Sequence, residues 1–212
     1  RRRGARRGAT TGAALDVADA AAAMATARAI EAELGRVDIL VNSAGTTFPN
    51  RYWCEPTAAT FEQVAAVNLN GAAYCTLAVA KGMRARRAGT VINIASFAGW
   101  HYEYMTGPAY TASKAAMMAL THSFNIEECV HGLRATALCP GEVATPILKK
   151  RPVQPSEADK ARMLQEADLG REAGDHHGLA SGGVHDRRQH DRGQHQDRTD
   201  AAKRAAHPPE NQ

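Results

Sequence analysis

The sequence predicts an α/β protein: a partial, doubly wound parallel sheet with helices on its faces. Two observations predict this. Apolar runs at Val37–Val41, Val91–Ile94 and Leu133–Cys139 have the length and composition of strands buried on both faces. Between them lie stretches with helical spacing, and strand–helix alternation argues for parallel pairing. In chain order, Ala18–Leu34 is Ala-rich and predicts a helix, with Gly35 as its stop. Val37–Val41 is the strand that follows. Glu62–Met83 carries apolar residues at helical spacing. Val91–Ile94 is the next strand, and Ala109–Phe124, rich in Ala, Met and Leu, predicts the next helix. In such sheets ligands bind beyond the carboxyl ends of the strands. Asn42, Ser96 and Pro140 all belong at those ends.

The chemistry enters with Tyr110 and Lys114. Four residues apart on a helix, they share one face. An ammonium beside a phenol favours the phenolate and is expected to lower its pKa toward the range of proton exchange. A hydroxyl such as Ser96 can hydrogen-bond a carbonyl oxygen as charge develops on it. These groups can protonate an alkoxide or deprotonate an alcohol. They cannot accept a hydride, so the reaction needs a cofactor. A Tyr-x-x-x-Lys pattern alone is weak, arising by chance in roughly one chain in two or three of this length. An isolated pair is more simply a half-buried Tyr with a solvated Lys, so the surrounding motifs must decide.

Those motifs resemble the short-chain dehydrogenase/reductase family. Asp38-Ile-Leu-Val-Asn-Ser-Ala-Gly45 resembles its Asn-Asn-Ala-Gly strand end, with Ser43 in place of the second Asn. Leu15-Asp16-Val17 resembles a strand end that contacts adenine. Val67-Asn68-Leu69-Asn70-Gly71 resembles the helix bearing the family's Asn, and Ile94–Gly99 the strand bearing its Ser. Cys139–Pro146 resembles the segment that closes over the nicotinamide. The resemblance covers about residues 10 to 170 and implies a Rossmann-like fold. It implies a secondary alcohol/ketone oxidoreductase using NAD or NADP. Tyr110 would be the general acid/base. Lys114 would lower its pKa and hold the nicotinamide ribose, Ser96 would orient the substrate oxygen, and Asn68 would hold a relay water. Asn42, Ala44 and Gly45 would line the cofactor, Asp16 and Val17 would meet the adenine, and Pro140, Gly141, Val143 and Thr145 would meet the nicotinamide half. The helices at Glu62–Met83 and Ala109–Phe124 resemble the family's dimer contact and imply a homodimer or homotetramer for an intact enzyme.

The family pattern starts with a strand, a Gly-rich phosphate loop and a helix, and none is legible here. Gly4 and Gly8 lie among five Arg, with no apolar strand before them. The first strands and the last strand are therefore expected to be missing, with much of the pyrophosphate site. That keeps a second reading open: a non-catalytic remnant or interaction subunit that retains Tyr110 and Lys114 by descent. Residues 1–9 read as an Arg-rich disordered N-terminus, 10–170 as the incomplete domain and 171–212 as a disordered tail. The tail holds six of the nine His and no Phe, Trp or Tyr, too little apolar surface to offset its ordering entropy. A frame shift near residue 171 in a GC-rich gene would produce such a composition.

Composition narrows the remaining classes. Net charge is +4, but five arginines fall in the first seven residues, so the basic balance is a terminal cluster. No nucleic-acid-binding motif accompanies it, so no nucleic-acid partner is expected. The four Cys show no C-x-x-C spacing, and the tail His form no ligand pattern with them, so no metal is expected. No run reaches the ~18 apolar residues of a membrane span and no signal peptide is visible, which reads as cytoplasmic. Phe97, Trp100, Tyr102, Tyr104 and Met105 line the loop between Ser96 and Tyr110. They are expected either to wall an apolar or ring-bearing substrate or to pack that loop on the next helix. Pro146–Leu169 falls where the family carries its variable substrate lid.

Overall fold

The computed structural model describes residues 11–175; the Arg-rich start and the His-rich tail lie outside the described residues. Three strands, β1 (Ile39–Asn42), β2 (Gly89–Ile94) and β3 (Leu133–Leu138), form one parallel sheet in the order β1-β2-β3. The architecture is the Rossmann-like α/β arrangement that the alternation predicts. Helix α1 (Ala20–Leu34) is capped by the Asp19 carboxylate, which accepts from the Ala21 and Ala22 amides. It stops at Gly35, whose φ of +85° suits glycine. Leu15–Val17, expected as a strand end, has no strand structure. The Asp16 carboxylate instead accepts from Ala18 N at 3.0 Å, and the Asp16 carbonyl takes Asp19 N, which turns the chain into α1.

The predicted helix at Glu62–Met83 is longer and has three parts. These are α2 (Ala58–Ala65), a π-helical turn (Ala66–Asn70) and α3 (Gly71–Arg86). After β2 comes the single turn α4 (Phe97–Trp100), then α5 (Pro108–Glu128). Beyond β3 the chain makes a 3₁₀ stretch at Pro146–Lys150, then α6 (Glu157–Arg162) and α7 (Glu166–Asp175), which runs across the expected boundary at 170.

Val91, Asn93 and Ala95 project from one face of β2 toward α3 and α5. Val91 joins Ala27, Val79, Met83, Leu133 and Ala135 in the main apolar cluster, and Ala95 joins Ala72 and Met117 in a second. Between these clusters runs a buried polar ladder. Asn42 Nδ2 donates to Asn93 Oδ1 (2.8 Å) and to Thr76 Oγ1 (3.2 Å), and Asn93 Nδ2 donates to Thr121 Oγ1 (2.9 Å). Asn42 and Asn93 are register partners in adjacent strands, so the ladder joins α3 to α5 through the sheet. The Asn42 side-chain amide is thus committed to the core. Buried polar groups are costly unless paired, so this ladder pins the strand register. Asn42→Ala is expected to cost about 2 kcal/mol in chemical denaturation, because it strips partners from Asn93 and Thr76. A change within 0.5 kcal/mol would contradict this role.

Candidate active site

Tyr110 and Lys114 occupy the first two turns of α5. That helix begins at Pro108, a favoured first-turn residue, after Gly107 with φ of +73°. A Cβ at Gly107 would lie 2.4 Å from the Arg51 carbonyl oxygen, so the loop at Arg51 is seated directly on the start of α5. Lys114 is buried (4% exposed), and its Nζ donates to the Ile94 carbonyl at 2.6 Å, at the carboxyl end of β2. The same Nζ stands 5.8 Å from the centroid of the Tyr110 ring. Helix α4 packs on α5 at Gly99, where a Cβ would fall 2.7 Å from the Lys114 carbonyl carbon. This close approach brings in Ser96, whose backbone is extended and whose Oγ accepts from Ala98 N (3.2 Å), capping α4. Two backbone bonds, Ala95 N to Leu138 O (2.8 Å) and Phe97 N to Pro140 O (2.9 Å), tie the end of β2 to that of β3.

Asn68 is fully buried in the π turn, a device frequent at functional sites. Its Oδ1 accepts from Thr46 N (2.7 Å), and its Nδ2 donates to Thr46 O (3.0 Å) and to Ser113 Oγ (3.1 Å). Ser113 in turn donates to the Tyr110 carbonyl (2.7 Å). The Asn68 side chain therefore clamps the loop after β1 to α5, with its amide donors spent on protein. Gly45 borders this group: a Cβ there would be 3.7 Å from both Asn68 Oδ1 and Lys114 Nζ. Ala44 is exposed on the same loop.

Burial pushes the Tyr110 phenol above its ordinary value. Hydrogen bonding to Ser96, then the charges of Arg151 and Arg51, pull the other way without overcoming it. Burial lowers Lys114 from the ordinary 10.5 to about 8, opposed by the nearby Cys139. The amine is turned to Ile94 O, desolvation of the phenolate is the larger effect, and the cations acting on the phenol are Arg151 and Arg51.

The other expected residues divide. Pro140 holds the Phe97 amide through its carbonyl, and Gly141 is exposed in open space. Val143 pairs with Leu164 in a parallel bridge, and Thr145 leads into the 3₁₀ stretch Pro146–Lys150. Val17 packs against the start of α3, where a Cβ at Gly71 would lie 2.7 Å from its Cγ2, and Asp16 is exposed at the approach to α1. The aromatic wall divides too. Tyr104 stacks on Tyr52 with centroids 4.6 Å apart, Phe97 stacks on His101, and Trp100 and Tyr102 face solvent. The narrow crevice at Tyr110 is lined instead by residues such as Thr47, Phe48, Arg51, Val64 and Thr106. Sequence reasoning missed Thr46, Ser113, Arg51 and Arg151. Ser113 sits inside the Tyr110–Lys114 interval and could have been found from it; a loop Arg ordinarily reads as solvated. Among the described residues, no three His, Cys, Asp or Glu group as metal ligands, and no helix is long and apolar enough to cross a membrane.

The chain is 40% identical over 139 residues to the 2-dehydro-3-deoxy-L-rhamnonate dehydrogenase (NAD(+)) of Sphingomonas sp. strain SKA58, covering 66% of this chain and 55% of that protein. It is 38% identical over 141 residues to the galactitol 2-dehydrogenase (L-tagatose-forming) of Cereibacter sphaeroides, covering 66% and 55%. It is also similar to the crystal structure of a gluconate 5-dehydrogenase from Burkholderia cenocepacia J2315 in complex with NADP and tartrate. There the TM-score is 0.60 at 32% identity, covering 63% of this chain and 51% of the other. The chain thus spans about half the length of these relatives. The model of a family described as short chain dehydrogenase matches residues 3–155. With that match over most of its length, and a Tyr–Lys helix seated at the carboxyl ends of a parallel sheet, the chain belongs to the short chain dehydrogenase family.

Proposed function

We propose that this protein interconverts a secondary alcohol and a ketone by hydride transfer with NAD or NADP. Tyr110 is the general acid/base, with Ser96, Lys114 and Asn68 around it. The observation that carries this reading is the convergence of three groups at the strand ends. The half-buried Tyr110 phenol is acted on by Ser96, and a buried ammonium stands 5.8 Å from the phenol ring. The names of the relatives, a rhamnonate-derived keto acid and a polyol among them, support a small hydroxylated substrate.

The residues present fit the nicotinamide end of such a cofactor. Lys114 Nζ has three N–H groups and gives one to Ile94 O, and Gly45 leaves room beside it. Tyr110, Lys114 and the Pro140, Gly141, Val143 and Thr145 segment would hold that end. Ala44 and Gly45 would border it, and Asp16 and Val17 would lie toward the adenine. The phosphates are not matched: among the described residues no Gly-rich turn joins a strand to a helix. When bound, the cofactor supplies or accepts the hydride. The protein's own part is to move the proton. Tyr110 gives its proton to the substrate oxygen or takes one from it, Ser96 hydrogen-bonds that oxygen, and Asn68 keeps α5 registered to the loop after β1.

The second reading is a non-catalytic member of the family that retains Tyr110 and Lys114 by descent. Titration with NADH and NADPH separates the two, since a catalytic protein enhances nicotinamide fluorescence and a non-catalytic one does not. A cytoplasmic setting is supported by four free cysteines. A homodimer or homotetramer is supported by apolar side chains left exposed on the helices, such as Leu77 on α3 (66%) and Ile126 on α5 (78%). A monomer in analytical ultracentrifugation would count against it.

Tyr110→Phe is expected to cut alcohol oxidation by about 10²–10⁴-fold while leaving NADH fluorescence titration unchanged. Undiminished turnover would overturn the assignment. For Lys114 the sign follows from its lowered value. Between about 8 and 10.5 the unfolded chain binds more protons than the folded one, so stability rises with pH across that window. Burying the ammonium costs on the order of 3 kcal/mol at neutral pH. The stability difference between Lys114→Met and the parent in urea denaturation should therefore shift in the parent's favour from pH 8 to 10. A pH-independent difference would show that Lys114 titrates normally.

A further inference from the structure

We propose that Arg51 is a positioning residue: its buried guanidinium latches the Pro146–Lys150 segment and the Tyr104–Thr106 turn onto the loop after β1, and so fixes the mouth of the crevice at Tyr110. Arg51 is 8% exposed. Its Nε donates to Phe48 O (2.8 Å), its Nη1 to Met105 O (3.1 Å) and its Nη2 to Lys150 O. The three carbonyls belong to three separate segments. Two of them lie 54 and 99 residues away in sequence, so one side chain closes both long loops.

The main chain at Arg51 is fixed as firmly as the side chain. Glu55 Oε2 accepts from the Arg51 amide (3.0 Å) and from the Tyr52 amide (3.1 Å). Gly107, directly before α5, packs on the Arg51 carbonyl. The Glu55 carboxylate is thereby engaged by backbone, and no ion pair between Arg51 and a carboxylate occurs among the described residues. A buried guanidinium held by neutral carbonyls is a weak source of stability, and an apolar side chain of that volume would serve packing as well. Its planar fork does what an apolar chain cannot: it fixes several acceptors in one plane. Two further ties hold the latched segment nearby, Lys150 Nζ to Thr46 Oγ1 (2.6 Å) and Arg151 Nη1 to Glu142 Oε1 (2.8 Å).

Arg51 also lines the crevice with Tyr110 and acts on its phenol, as does Arg151. The groups facing that phenol are Ser96 from the end of β2, Arg51, Arg151 and, over the ring, Lys114. The latch and the charge are separable by substitution. Lysine keeps the charge but cannot span three carbonyls; methionine keeps length and loses both.

The test is hydrogen exchange of the full chain, read by mass spectrometry at the Leu148, Arg151 and Thr106 amides, each bonded within a latched segment. Arg51→Met and Arg51→Lys should both speed exchange there by about tenfold or more, with β2 and β3 unchanged. Unchanged exchange at all three amides would overturn the latch. A rise spread equally over β2 and β3 would overturn it too, because that reports a merely structural residue. Tyr110→Phe should leave these amides as they are, so failure of the redox reading does not touch this result. The kinetic consequence does rest on that reading. Arg51→Lys should raise KM for the alcohol about tenfold with kcat within threefold. Arg51→Met should in addition move the acidic limb of the kcat profile for alcohol oxidation to higher pH. An unaltered KM in both variants would show that the latch has no bearing on the substrate.

Discussion

The bond from Lys114 Nζ to the Ile94 carbonyl is the constraint on which the site depends. It joins the second turn of α5 to the last residue of β2, and so decides where Tyr110 stands relative to Ser96, two residues past that carbonyl. An ammonium this deep is costly, and one carbonyl does not replace its hydration. The lowered value of about 8 records that deficit. Gly99 makes the arrangement possible, since any side chain there would strike the backbone of Lys114 and Ala115 and lift α4 away with its capping Ser96. The site is thus built by a close helix contact and a buried ammonium, each meaningless without the other.

Two kinds of buried polarity divide the labour around it. The ladder Thr76–Asn42–Asn93–Thr121 lies inside the sheet and is closed on itself, with each amide donor answered by protein. It specifies register. The Asn68 set is closed too, but it binds a loop to a helix across a π turn, where the backbone has left its regular ladder. Lys114 is different, having donors to spare at the cleft. That contrast, and not burial as such, separates the structural asparagines from the residue equipped to meet a ligand.

The alternation of strands and helices was legible because it rests on hydrophobic period and on stop signals such as Gly35, both local properties. The pairing of Tyr110 with Lys114 was legible for the same reason, being one turn of one helix. What escaped depended on partners far along the chain. Asn42 reads as a strand-end residue until its register partner is known to be Asn93, although a polar residue inside the apolar run Thr90–Ala95 hints at a buried mate. Leu15–Val17 has the composition of a strand end, but a strand needs a neighbour, and a local Asp16 to Ala18 bond took the backbone instead. Tyr104 read equally as pocket wall or as loop packing because its stacking partner, Tyr52, lies far away in sequence. The membership of a family is carried by short motifs; the work each residue does inside them is carried by contacts that sequence spacing does not reveal.

The direction of the Tyr110 shift bears on how such a site divides its proton chemistry. A phenol held above its ordinary value stays protonated at neutral pH, so it is ready to give a proton and must lose one before it can take one. Positive charge nearby eases that loss. Lys114, the obvious source, sits in the same dry environment and is itself weakened to about 8, so its charge fades over the range where the phenol would need it. Arginines keep theirs at every accessible pH. Arg51 and Arg151 stand on the loop after β1 and on the end of the Pro146–Lys150 stretch, outside the Tyr–Lys motif altogether. A field built partly from such loops can differ between members of one family while the motif stays the same.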